Sequence, residues 1–462
     1  YLDRKVRNIY DATTLDMASL GGVFGPPPPA LPDAFSRSVA NNSSKQFTQE
    51  VRIQNNEPDA ALNWVAGIFY QRVKMRDVFN VSGQDLLRMV NYGRANSVPA
   101  QPPCTTVAQC FFGVPLYQDQ YSIFLDTHSV DKQIAAFAQF DYKITPRLKL
   151  TAGARYAKLD YTATVFRAGP VIVSPGASDT INQRSKPFTP KLGLSWQADA
   201  NNLFYGNVAK GFRLGGVAVP VGNRCAADGT ALGFDPNTPR ALNSDSVWSY
   251  EIGSKNRLFG GKVNLDVAAY KIDWKNIQTI LTLPSCQIPT TLNLGDAVSK
   301  GVDLSITANP YPGLSLGVAA AYNESHYTTT SESSIPGQPI RRAGEPLGNP
   351  PWSLNFNGEY EFEVGRARPY VRGDLAYTSH DDTPLDLSSP IVNPDIPRTP
   401  AITTLNLRLG VRARGADISL FALNALNAHP EIARYEDTPP ANYFRGVTLR
   451  PRTIGLTVTF RN

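Results

Sequence analysis

Residues Arg452–Asn462 read RTIGLTVTFRN, in which Ile454, Leu456, Val458 and Phe460 are apolar while Thr453, Gly455, Thr457 and Thr459 are small or polar. Strict period-2 alternation predicts a strand with one face in an apolar medium and the other in water. The pattern recurs. In Gln46–Gln54, Phe47, Val51 and Ile53 alternate with Thr48, Glu50 and Arg52. In Leu148–Tyr156, Leu148, Leu150, Ala152 and Ala154 oppose Lys149, Thr151 and Arg155. Further strands are predicted at 1–10, 62–70, 131–143, 188–196, 203–212, 247–257, 262–274, 292–308, 314–327, 352–362, 369–377, 402–412, 416–423 and 444–460. Together they make roughly sixteen strands.

Connections alternate between short turns and long loops. A loop carrying Pro26–Pro29 precedes Gln46, and long ones are predicted at 75–130, 167–184, 215–246, 281–291, 328–351, 378–401 and 425–443. Every long loop then falls at one end of the strands. A soluble sandwich has no reason for that arrangement, whereas an outer-membrane barrel has short periplasmic turns and long extracellular loops. The expected fold is an all-β, transmembrane antiparallel barrel whose last strand descends to the periplasmic side. Open edges expose unpaired N–H and C=O groups, and barrel closure removes them.

Energy decides which face meets lipid. An Arg facing mid-bilayer costs about 2–4 kcal/mol. In Leu405–Arg412 the outward set is therefore Leu405, Leu407, Leu409 and Val411, and the lumen set includes Asn406, Arg408 and Arg412. Trp352 and Tyr360 share a face, as do Phe188 and Trp196. Each pair spans about 27 Å of strand, or about 20 Å of depth at a tilt of about 40°. That approaches the height of the apolar band between aromatic girdles.

Composition narrows the classes. The chain has 462 residues, 18% of them charged, and a net charge of +6. No run of about 18 apolar residues predicts a transmembrane helix. Basic residues are scattered along the strands, which argues against a nucleic-acid face. Residues Tyr1–Tyr10 contain no signal-peptide apolar segment. No phosphate loop, nucleophile elbow, paired carboxylates or HExxH occurs, so no enzyme is expected. His128, His326, His380 and His429 are not spaced as metal ligands, and neither a metal nor a cofactor is expected.

Individual phrases then carry a resemblance. FTQEVRIQ at Phe47–Gln54 with LNWVAGIFY at Leu62–Tyr70, LKLTAGARY at Leu148–Tyr156, and YGNVAKGFRLGG at Tyr205–Gly216 resemble the barrel of TonB-dependent outer-membrane receptors. So do SDSVWSYEIGSKNRLFGGKVNLDVAAYKIDWKNIQ at Ser244–Gln278, NLGDAVSKGVDLSI at Asn293–Ile306, FALNALN at Phe421–Asn427 and the terminal PRTIGLTVTF. They fall in the family's order over nearly the whole chain. Two departures stand out: Asn462 occupies the family's terminal aromatic position, and no plug or TonB-contact box precedes the barrel. The resemblance implies that residues 1–462 are one partial barrel, lacking the plug and the first strands of a wall of about 22.

The implied function is TonB-coupled uptake of a scarce extracellular small molecule across the outer membrane of a Gram-negative bacterium, with a ferric siderophore as the leading substrate class. Oligosaccharides, cobalamin-type nutrients and passive porin-like diffusion are the alternatives. Implied partners are TonB with its inner-membrane energising complex, acting through the N-terminal part, and outer-membrane lipid and lipopolysaccharide; the receptor is expected to be a monomer.

For the sites, Cys104 and Cys110 in one loop suit a small disulfide in an oxidising compartment. Cys225 and Cys286 sit in two loops on the same side and either pair or stay apart. Phe111, Phe112, Tyr117 and Tyr121 form an aromatic group that either grips aryl or sugar moieties or packs on itself. Arg213 either contacts an anionic ligand or is a solvated rim residue. Arg155, Arg408 and Arg412 face the lumen, where they either pair with acids such as Glu50, Glu251 and Asp266 or hold the plug.

Overall fold

The computed structural model describes residues 2–11, 31, 33–55, 57, 59–96, 99–286, 288–381, 383, 386–436 and 444–460. The Pro26–Pro29 loop and the Asn462 end lie outside them.

In chain order the first strands are β1 (Leu2–Asp11), β2 (Arg37–Gln54), β3 (Leu62–Ser82), β4 (Tyr121–Thr145) and β5 (Leu148–Gly169). β6 (Ser174–Ser185), β7 (Phe188–Gln197), β8 (Asn202–Arg213), β9 (Val217–Ala218), β10 (Arg240–Ala241), β11 (Asp245–Leu258) and β12 (Val263–Lys275) follow. Then come β13 (Gln278–Leu283), β14 (Ile288–Asn293), β15 (Ala297–Ala308), β16 (Leu314–Tyr327) and β17 (Trp352–Glu361). β18 (Ala367–Thr378), β19 (Ile402–Ala413), β20 (Ala416–Leu423), β21 (Glu431–Glu436), β22 (Phe444–Thr448) and β23 (Thr453–Phe460) complete the set. Helices are confined to loops: α1 (Leu86–Ala95), α2 (Val107–Cys110) and α3 (Ala226–Leu232).

Seventeen strands form one antiparallel sheet. Apart from β6, successive wall strands pair with one another, giving an up-and-down meander from β1 to β23. β6 and β7 stack end to end on β5, interrupted at Pro187, and so act as one broken strand. Among the described residues no pairing joins β1 to β23. β9–β10, β13–β14 and β21–β22 are separate hairpins in the long loops.

The outward face is the one argued from energy. Leu409 is 61% exposed, whereas Arg412, on the opposite face, is only 26% exposed and ion-paired. Phe188, Trp196, Trp352 and Tyr360 are all exposed on the outer face. The tight turn between β19 and β20 uses positive φ at both Arg414 (46°) and Gly415 (78°), the twist that suits a two-residue hairpin.

Several loops predicted from the sequence are shorter than expected. β3 continues to Ser82, β4 begins at Tyr121, and β6 fills most of 167–184. Polar sequences such as SPGASDTINQRS in β6 form strand without apolar alternation. The strand predicted at 292–308 is broken by Gly295 at φ +63°, and that predicted at 444–460 ends at Thr448 and resumes at Thr453.

The wall itself has little core. The largest buried apolar cluster lies in the loop layer and joins Ile277, Leu281, Leu294, Ala297, Tyr327, Ile340 and Ile391. It ties the β12–β15, β16–β17 and β18–β19 connections into one body.

Candidate ligand-binding site

Beside this cluster the loops form a cavity of about 270 Å³. Ile280 and Pro284 from the β13–β14 hairpin and Ile391 and Ile396 from the β18–β19 loop make its apolar wall; Arg341, Arg398, Arg434 and Tyr435 supply the polar one. No Asp or Glu occurs among its described lining residues. Each guanidinium is anchored. Arg341 donates to Glu345 at 3.0 Å, and Arg398 donates to the Thr383 carbonyl at 3.1 Å. Arg434 grips Glu431 with two bonds of 2.9 and 2.6 Å. The Arg434 guanidinium holds the Glu431 carboxyl below its usual range. Arg342 fixes the layer from outside by donating to Asp386 at 2.6 Å and Ser388 at 2.8 Å. The planar fork of an arginine matches carboxylate or phenolate oxygens.

Sequence reasoning missed this pocket. Arg341 is one of an RR pair in a long loop, but its convergence with Arg398 and Arg434 depends on loop packing that has no periodic signal.

Arg213 is 51% exposed and ion-paired with the buried Asp245. Asp245, 3% exposed, accepts from Arg213 Nε at 3.1 and 3.2 Å, from Trp274 Nε1 at 3.1 Å and from the Gln278 N–H at 3.1 Å. Arg213 also donates to the Gln278 carbonyl at 2.9 Å and lies 5.6 Å from the Trp274 ring centroid. It clamps β8 to β11 and β12 at the base of the loops.

The aromatic group divides. Tyr117 packs on Phe124 (4.9 Å) and Phe166 (5.5 Å), and Tyr121 packs on Phe124 (5.5 Å). Phe124 and Phe166 share the strand parity of the exposed Ile134 and Tyr156, so this cluster lies on the outer side of the wall. Phe112 stands apart, 84% exposed, and Phe111 caps α2. Cys104 is disulfide-bonded to Cys110. Cys225 is bonded to Cys286, and both are buried. That bridge fastens the start of α3 to the β13–β14 hairpin. Nearby, burial raises the Asp228 carboxyl above its usual range, although it accepts from the Ser285 N–H at 3.0 Å.

The lumen arginines have other partners than Glu50, Glu251 and Asp266. Arg412 meets Glu359 (2.9 Å), Glu361 and Asp417 (3.3 Å), and its guanidinium stacks 4.0 Å from the Tyr370 centroid. Arg408 donates to Ser419 at 2.9 Å, and Arg155 lies 4.8 Å from the Phe69 centroid. Neighbouring strands decide these pairings. Glu359 reaches Arg412 across β18, whereas the acids expected from sequence stand on β2, β11 and β12.

The family model described as TonB dependent receptor-like, beta-barrel, matches residues 6–428. The chain belongs to the TonB-dependent receptor family. It is thus an outer-membrane protein of the Gram-negative type, from a family of receptors rather than enzymes. In structure it is similar to the ferric yersiniabactin uptake receptor FyuA of Yersinia pestis, with a TM-score of 0.67 at 15% identity, covering 92% of this chain and 55% of that one. It is also similar to the copper transporter OprC, with a TM-score of 0.61 at 13% identity, covering 99% of this chain and 61% of that one. In sequence it is 27% identical over 188 residues to the metal-pseudopaline receptor CntO of Pseudomonas aeruginosa strain UCBPP-PA14, covering 40% of this chain and 23% of the relative. The chain therefore spans little more than half of the solved structures and about a quarter of the curated relative.

Proposed function

We propose that this barrel belongs to a receptor that captures an anionic metal chelate, most naturally a ferric siderophore, for TonB-coupled uptake. The observation that carries the reading is the cavity where Arg341, Arg398 and Arg434 meet an apolar wall on the extracellular side. Ferric chelates present carboxylate, catecholate or hydroxamate oxygens on an organic frame, and such a pocket suits both parts. The uptake receptors and metal transporters among its structural and sequence relatives support the same class. Lumen charges such as Arg412 and Glu359 are suited to hold a plug in the intact receptor.

The test is equilibrium dialysis of the purified protein against iron-55 complexes of one catecholate, one hydroxamate and one citrate-based siderophore. One class should bind, and Arg341→Ala, Arg398→Ala and Arg434→Ala should each weaken it roughly tenfold. Binding unchanged in all three variants would contradict the site.

A further inference from the structure

Three arginines of the loop layer are matched with carboxylates: Arg341 with Glu345 at 3.0 Å, Arg342 with Asp386 at 2.6 Å and Arg434 with Glu431 at 2.6 Å. Arg240 on β10 is treated differently. Its Nη2 donates to Thr290 Oγ1 at 2.8 Å, and its Nη1 is buried with no hydrogen-bond partner among the described residues. The guanidinium lies on Phe234, 3.7 Å from the ring centroid. Burial pushes its pKa down, and no carboxylate offsets that burial.

The register of the β13–β14 hairpin sets the surroundings. Leu281 stands opposite Thr290 and Thr279 opposite Leu292, so these four side chains share one face. That face is turned inward: Leu281 and Thr290 are buried, whereas Ile280 on the other face is exposed. Leu281 and Leu292 belong to the large apolar cluster of the loop layer. Leu283 and Ile288 continue the same face and pack with Val221, Cys225 and Phe234 in a second cluster. Thr290, and the guanidinium bound to it, therefore lie where two apolar clusters meet. Thr279 is the diagonal neighbour of Thr290, about 7 Å away, and its Oγ1 is likewise buried with no hydrogen-bond partner among the described residues.

A desolvated cation between apolar clusters is costly unless a counter-charge lies with it. Water would satisfy the donors and leave the charge. We propose that the Arg240 guanidinium, with the Thr279 and Thr290 hydroxyls, holds a small monovalent anion of chloride's size that locks β10 to the β13–β14 hairpin. Both hydroxyls have a proton to give. Thr290 Oγ1 accepts from Arg240 and keeps its own, and Thr279 spends its proton on no other group among the described residues. Burial of Nη1 and of Thr279 Oγ1 selects a single atom rather than a chelate. The site is independent of the chelate cavity, which takes Ile280 and Thr282 from the hairpin's opposite face.

The experiment is amide hydrogen exchange of the purified protein in sodium chloride and in sodium gluconate, at equal ionic strength and pH. With chloride well above its dissociation constant, amides of β13 and β14 should exchange about tenfold more slowly than in gluconate. Amides of β19 should exchange equally in both salts. Arg240→Met replaces the charge with an apolar side chain that needs no counter-ion, so its hairpin should exchange alike in the two salts. Thr279→Val should need about tenfold more chloride for the same protection. Equal exchange of the unsubstituted hairpin in both salts, the same slowing in β19, or an unchanged chloride response in both variants would overturn the proposal. The salt series on the unsubstituted protein decides the matter even if a variant does not fold.

Discussion

The ring of Tyr370 on β18 lies across Gly410 on β19, so closely that a Cβ added at Gly410 would sit 2.6 Å from it. Tyr370 cannot swing aside. It is 2% exposed, donates its hydroxyl to Asp417 at 3.0 Å and carries Arg412 over its face at 4.0 Å. Gly410→Ala should therefore destabilise the barrel by about 1–3 kcal/mol, read as a lower urea midpoint. Gly373→Ala, whose added methyl meets Leu407 at an ordinary 3.6 Å, is the control and should change little.

Arg213 and Asp245 should be energetically coupled. Removing the guanidinium leaves Asp245 buried with the Trp274 and Gln278 donors alone. Arg213→Ala should cost about 1–3 kcal/mol. In the Arg213→Ala/Asp245→Asn protein much of that cost should return, and a double-mutant cycle on unfolding free energies measures the difference.

The two disulfides should differ in accessibility. Cys225 and Cys286 are 0% and 1% exposed and close a long loop, whereas Cys104–Cys110 closes a short one in which Cys104 is 6% exposed and Cys110 only half-buried. Mild reductant with mass-spectrometric thiol counting should open Cys104–Cys110 first. Cys225→Ser/Cys286→Ser should make 214–244 susceptible to limited proteolysis, because that bridge anchors α3.

Asp296 provides a pH dependence. Burial pushes its carboxyl up, but the Lys275 ammonium at 2.7 Å and the Asn276 N–H at 2.9 Å outweigh it, and the net shift is downward. A depressed carboxyl stabilises the folded loop above its unfolded pKa of about 3.9 and loses that contribution as pH falls through the folded value. The Asn276 amide should be more protected from hydrogen exchange in the parent than in Asp296→Asn at pH 7. The difference should persist down to about pH 4 and be lost only as pH falls further, through the lower folded value.

How much was legible follows from what leaves a period in the sequence. Within the bilayer, Leu405–Arg412 had to alternate, so the strands, the faces and the one-sided loops could be read. Beyond it, β6 carries no apolar alternation and lost the signal, although the upper end of β5 buries Ala157, Leu159, Ala163 and Val165. The loop sites were least legible. Arg213 was noticed for its motif, but Asp245 and Trp274, its partners, come from other strands. Tyr117 and Tyr121 were noticed without Phe124 and Phe166, the rings that hold them outside the vestibule.

The central claim is energy-coupled uptake of an anionic chelate, and transport measures it most directly. Cells with the gene for this protein deleted and then restored would be given the iron-55 siderophore that binds best in dialysis, with and without functional TonB. Uptake should require both the gene and TonB, and should fall in the Arg398→Ala variant. Equal uptake without TonB would contradict the account and favour passive diffusion through the barrel.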